Sequence, residues 1–175
     1  MSEATATRLR RALGDPAVVA RYRDKIVAVE PYACLFWTGA ITTRGHGRFW
    51  ITDDPRQRDY VVIAHRFGYG LIHGFAALMD VEAVAHRCDN PLCQLPAHWR
   101  ESTHAQNKRE WAARRHQLTG PLRDLRGARG RALAIRDAIR EGRPLTDVVA
   151  AGVRDVDRDQ LPPWEPYSGP SRSAS

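Results

Sequence analysis

The sequence predicts an α+β fold: helical segments at both ends flank a central run of short strands gathered around a loop rich in Cys and His. Three observations predict it. Residues 1–30 and 103 onward place apolar residues at helical spacing among charges, whereas residues 34–100 are rich in aromatics, Thr, Gly and β-branched side chains. A cluster of Cys and His then interrupts that middle region. With 175 residues, 43% of them apolar, the chain is long enough for one domain of ordinary size and an appendage.

The elements follow in order. Leu9, Leu13, Val18, Val19 and Ile26 mark an N-terminal helical segment over 1–30. From Cys34, CLFWTGAITTRGHGRFWI reads as strand, turn and strand, and YVVIAH at 60–65 as another short strand. HRFGYGLIHG at 65–74 reads as a short helix ending at Gly74, although Gly68 and Gly70 count against it. Residues 84–100 carry two prolines and two cysteines, the composition of a loop with short strands. Thr103 and Gln106 have capping-box spacing, and no Gly or Pro follows until Gly120, which predicts a helix over roughly 103–118. Gly120-Pro121, Gly127 and Gly130 read as a basic linker; ALAIRDAIREG and LTDVVAAGV read as two further helices. The expected division is thus 1–30, a central domain over 31–118, a basic helical extension over 119–160 and a disordered tail over 161–175.

Composition excludes several classes. No apolar run approaches the ~20 residues that span a bilayer, so no membrane partner is expected. The N-terminus lacks the apolar segment of a secretory signal. Three cysteines do not make a disulfide framework and suit a reducing, cytoplasmic setting, in which clustered Cys and His suggest metal. Charge is unevenly placed. Residues 1–107 carry 13 basic and 11 acidic residues, 108–143 carry 11 and 4, and 144–175 carry 3 and 5. The middle segment alone therefore supplies the whole net charge of +7. Of the 27 basic residues 25 are Arg, which suits bidentate phosphate contacts. A solvated helical face is the bland reading; DNA binding through Lys108, Arg109, Arg114, Arg115, Arg123 and Arg126 is the functional one.

The informative stretch is His86-x-Cys88-x4-Cys93-x4-His98, with Asn107 nine residues on. Cys88, Cys93 and His98 are zinc-type ligands, and Cys34, the remaining cysteine, completes a Cys3His set. A closed set of four is structural, since it leaves no position for water or substrate. Buried free cysteines beside a surface histidine are the alternative. His86, two residues from a ligand, is placed to act as a base, and Asn107 offers an uncharged oxygen of the kind Mg2+ accepts.

The segment HRCDNPLCQLPAHWRESTHAQNKRE resembles the HNH, or His-Me finger, endonucleases. It is closest to the phage-type proteins, and its spacing is similar to that of the His-Cys box homing endonucleases. Upstream, CLFWTGAITTRGHGRF and AHRFGYGLIHG look like the opening and the central His-Arg helix of the phage family, so the resemblance covers roughly residues 34–110. It implies a ββα-metal finger and a metal-dependent DNA endonuclease or nickase of bacterial or phage-infected cells. His86 would be the general base, Asn107 would hold catalytic Mg2+, and Cys34, Cys88, Cys93 and His98 would hold structural Zn2+. Arg66 would contact the phosphate near the leaving group. Three positions depart from the pattern: Ala85 stands where many relatives place a metal-binding Asp, and Leu95 and Trp99 replace the usual Asn and Leu. His104, one turn before Asn107, is expected to face solvent. Residues 131–153 look weakly like the first half of a helix-turn-helix unit, which RDVDRDQLPP then breaks. The alternative function is a zinc-stabilised DNA-binding module without catalysis; a zinc-bearing protein-interaction domain explains neither the basic segment nor Asn107.

Overall fold

The computed structural model describes residues 3–52, 60–115 and 120–153. The expected 118 end of the helix starting near 103, the residues beyond 153 and the disordered tail lie outside these. Among the described residues the fold is α+β, with three small antiparallel sheets.

The N-terminal segment forms two helices rather than one, α1 (Glu3–Gly14) and α2 (Pro16–Arg23). The break is local chemistry. Asp15 caps α2 by accepting from the backbone N–H groups of Ala17 (2.9 Å) and Val18 (3.4 Å), and Pro16 fills the first helical position, where its missing N–H costs nothing. Ile26, expected on the helical face, instead opens β1 (Ile26–Ala28), which pairs with β2 (Leu35–Trp37) in the register Ile26 to Trp37.

The second sheet contains β3 (Ala40–Ile41), β4 (Gly47–Trp50) and β5 (Val61–Ile63) in that order. Helix α3 (Ala64–Asp80) starts inside the expected strand YVVIAH and is broken at Gly74, where φ of 86° suits only glycine. Gly68, which counted against this helix, is required by close approach. A Cβ there would fall on the Tyr22 hydroxyl and the Trp99 ring. Strands β6 (Ala83–His86) and β7 (Trp99–Ser102) form the third sheet, with His86 opposite Trp99. Thr103 then caps α4 (His104–Arg114) by accepting from Gln106 N–H at 3.1 Å.

The core gathers around Tyr22, Trp37, Phe49 and Phe67, whose rings lie 4.8–6.0 Å apart between centroids in tilted and edge-on pairs. Trp37, Phe49 and Phe67 are essentially inaccessible, and burying each contributes about 2–3 kcal/mol of transfer free energy.

The expected basic linker is not a linker. Residues 121–123 make a single 3-10 turn, and α5 (Gly127–Arg140) and α6 (Leu145–Ala150) follow at once. Ala132, Ile135, Ala138, Leu145 and Val148 are buried in the same core as the central strands. Buried Asp124 fixes the entry, accepting from the Arg126 guanidinium (2.6 and 2.8 Å) and from Arg131 (3.4 Å). Arg140 then reaches the Thr38 carbonyl at 2.9 Å, tying the end of α5 to the loop after β2.

Candidate metal centre and histidine cluster

The β6–β7 hairpin builds the site. Its ladder continues past His86, with Arg87 N–H donating to the His98 carbonyl at 2.8 Å. The intervening loop closes on Asn90, whose carbonyl accepts from Cys93 N–H and whose side chain accepts from Leu92 N–H. Strand β2 is laced to this loop: Trp37 N–H donates to Leu92 (3.0 Å), and Gln94 N–H donates to Leu35 (2.7 Å). That lacing delivers Cys34, just before β2, to a loop more than fifty residues away in sequence.

Cys34, Cys88, Cys93 and His98 therefore converge, with their donor atoms all within 4.8 Å of one another. His98 Nδ1 lies 3.8 Å from Cys34 Sγ and 3.4 Å from Cys93 Sγ. A tetrahedral zinc with Zn–S of about 2.3 Å and Zn–N of about 2.0 Å needs S···N separations of about 3.5 Å, so the donor set fits such an ion. The protonation chemistry agrees. Cys34 lies well below the usual thiol range because the Cys88 and Cys93 thiols hydrogen-bond to its thiolate. Cys88 and Cys93 are pushed up, chiefly by those bonds to Cys34. The cluster alone holds one thiolate readily and resists more; a divalent cation would relieve that repulsion. Leu95 contributes through its backbone, its N–H donating to Cys93 Sγ at 3.4 Å, so the loop does not rely on a polar side chain there.

His86 ends β6 and is 9% exposed. Its Nε2 lies 3.0 Å from the Cys93 carbonyl, which Trp99 Nε1 also reaches at 3.2 Å. A carbonyl only accepts, so His86 carries its proton on Nε2 and leaves Nδ1 with the lone pair. Burial pushes its pKa down to about 4, against the partial offset of the Cys93 hydrogen bond. The Trp99 departure thus has a use, steadying the carbonyl that orients His86.

Two further histidines join it, and sequence reasoning singled out neither. His65 on α3 lies edge-on to His86, centroids 4.5 Å apart. His46, in the β3–β4 turn, lies 5.4 Å from His65 and 6.2 Å from His86. His65 is almost wholly buried; its Nε2–H donates to the Val84 carbonyl at 3.1 Å, and Nδ1 has no partner among the described residues. Desolvation holds its pKa well below the ordinary value, so it stays neutral. The His-Arg segment was the one signal that could have pointed to His65.

The other expected residues fall into two groups. Arg66 is committed to the fold: its guanidinium donates to the carbonyls of Leu78 (3.0 Å), Val81 (3.2 Å) and Glu82 (3.2 Å), closing the end of α3. Arg114 pairs with Asp89 in the metal loop at 2.9 Å, and Arg126 binds Asp124 and the Val148 carbonyl. Arg123 is half-buried in the 3-10 turn. Asn107, Lys108, Arg109 and Arg115 are exposed on α4, as is His104. Trp111 shares that helix, 47% exposed, with the Arg115 guanidinium 5.1 Å above its ring. Helix α4 buries no residue; ion pairs Arg100–Glu110 and Arg114–Asp89 anchor it. Ala85 is buried in β6, opposite Arg100.

No helix among the described residues is long and apolar enough to cross a membrane. No protein-family model matches the chain, and no solved structure matches it. The chain is similar to Protein 7.7 of Escherichia phage T7, 26% identical over 125 residues covering 71% of this chain and 90% of that protein. It is also similar to Protein 2.8 of the same phage, 32% identical over 88 residues covering 49% of this chain and 55% of that protein. These likenesses accord with the phage setting expected from the sequence, and the converging thiols and imidazole form a Cys3His group able to hold a metal such as zinc.

Proposed function

We propose that the chain is a metal-dependent DNA endonuclease or nickase of the HNH kind. The order β6, metal loop, β7 and α4 would be its ββα-metal finger. One observation carries the reading: His86 is held through Nε2 by the carbonyl of a metal-loop cysteine, so a neutral imidazole is fixed with Nδ1 as its basic atom. His86 Nδ1 would take the proton of the attacking water. The P–O3′ bond would break, leaving a 5′ phosphate and a 3′ hydroxyl. Exposed Asn107 offers one neutral oxygen, which fits Mg2+ only if phosphate oxygens and waters complete its shell; bound there, Mg2+ would supply charge against the developing anion. Lys108, Arg109 and Arg115 would follow the DNA backbone along α4. Arg66, Arg114 and Arg126 are already bound within the chain, so the reading does not draw on them.

Supercoiled plasmid with Mg2+ tests the reading. Wild-type protein should yield nicked or linear DNA, and His86→Ala or omission of Mg2+ should abolish it without loss of zinc or DNA affinity. A second reading, a DNA-binding module without catalysis, draws on buried Ala85, which offers no carboxylate to a metal. Zinc-loaded wild-type protein that binds plasmid but never cuts it would favour that second reading.

A further inference from the structure

Two imidazoles gather beside the candidate base, and the three rings are not equivalent. His86 is oriented by Cys93, and His65 is buried behind it. His46 is half-buried, and its ring nitrogens have no hydrogen-bond partner among the described residues. Its backbone, by contrast, is immobilised. Thr42 N–H donates to the His46 carbonyl at 2.8 Å, His46 N–H donates to Thr42 Oγ1 at 3.0 Å, and Gly45 N–H donates to the Thr42 carbonyl at 3.1 Å. Gly45 is packed so tightly under the Ala128 carbonyl that a Cβ would collide with it, so α5 braces the turn from outside. The three rings do not form a metal site, because Cys34, Cys88, Cys93 and His98 are the one group among the described residues whose donor atoms converge.

A rigidly mounted, accessible imidazole with unused nitrogens, 6.2 Å from the ring of the base, is placed to touch what the base touches. We propose that His46 is a second substrate-contacting residue of the same site, donating a hydrogen bond from its ring N–H to a non-bridging oxygen of the scissile phosphate. This rests on the nuclease reading. Burial holds the ring neutral, so it has one N–H to give and acts without carrying charge of its own. His73 and His104, exposed on α3 and α4, and His98, within the Cys3His group, have no such placement.

Two measurements on the full chain decide it. With supercoiled plasmid and Mg2+, His46→Ala should lower the cleavage rate at saturating DNA at least tenfold, with DNA affinity within threefold of wild type and zinc content unchanged. His46→Gln, which keeps an N–H donor, should recover part of the rate. In protein labelled with 13C at the histidine rings, the His46 resonance should shift when a 20-base-pair duplex is added without Mg2+. His46→Ala cleaving within twofold of wild type overturns the proposal, as does an unmoved His46 resonance with duplex bound. Wild-type protein that binds and shifts His46 but never cuts removes the nuclease reading and keeps the phosphate contact; protein that neither binds nor cuts removes both.

Discussion

Replacing Cys34 by Ser should separate the role of the metal from the role of the core. Cys34 and Cys88 are 54 positions apart, so a metal held by all four ligands closes a long loop. A cross-link of that span removes about 4 kcal/mol of chain entropy from the unfolded state, roughly a thousandfold in the folded-to-unfolded ratio. Cys88, Cys93 and His98 close only short loops among themselves, so the long-loop contribution depends on Cys34. Serine stays protonated and is a poor zinc ligand, and its buried hydroxyl costs about 1 kcal/mol with or without metal. Urea unfolding with equimolar zinc should therefore show a deficit of about 4–5 kcal/mol in Cys34→Ser, shrinking to about 1 kcal/mol in a zinc chelator. Metal analysis should find about one zinc per wild-type chain. Equal stability of the two proteins in zinc, or an equal deficit in the chelator, would refute the argument.

Three other outcomes follow from particular contacts. Asp124→Asn should cost about 3 kcal/mol in urea unfolding, because buried Arg131 loses its partner. Burial raises the Asp124 carboxyl, but the hydrogen bonds and charges of Arg126 and Arg131 outweigh it and hold it below its ordinary value. Its contribution is therefore present above about pH 4 and lost on further acidification, and the mutant should lack that acid limb. His65 and His86 are depressed by burial, so the unfolded chain takes up protons that the folded chain refuses. Stability should fall from about pH 6.5 towards pH 4, and His65→Asn should remove about one proton from that slope in pH-dependent unfolding. Gly68→Ala would gain up to about 1 kcal/mol on an open helix, but the Tyr22 hydroxyl and the Trp99 ring make it destabilising here, by about 2 kcal/mol in thermal unfolding.

Some of this is legible in the residues alone. The ligand set needed only local spacing plus the one remaining cysteine, and Thr103 announced the start of α4 by its own chemistry. His46 and His65 could not be read in this way. They meet His86 only because α3 and the β3–β4 turn pack against the β6–β7 hairpin, a tertiary fact with no period in the sequence. The arginines were equally opaque. Arg114 and Arg115 are neighbours in an identical-looking run, yet Asp89 reaches only the first of them. Gly127 and Gly130 suggested a linker because glycine disfavours helices, whereas the buried face of Ala132, Ile135 and Ala138 decided for α5.

That packing of α5 and α6 into the central core has a consequence for synthesis. A ribosome releases the hairpin and its thiols well before residues 127–150, so the nascent domain emerges with its apolar face uncovered. The thiols can gather metal early, while the β3–β4 turn that bears His46 is braced only once α5 has docked. Translation itself would thus leave the β3–β4 turn unbraced until α5 has left the ribosome, and a polypeptide truncated before α5 would keep its thiols gathered while His46 lacked that support.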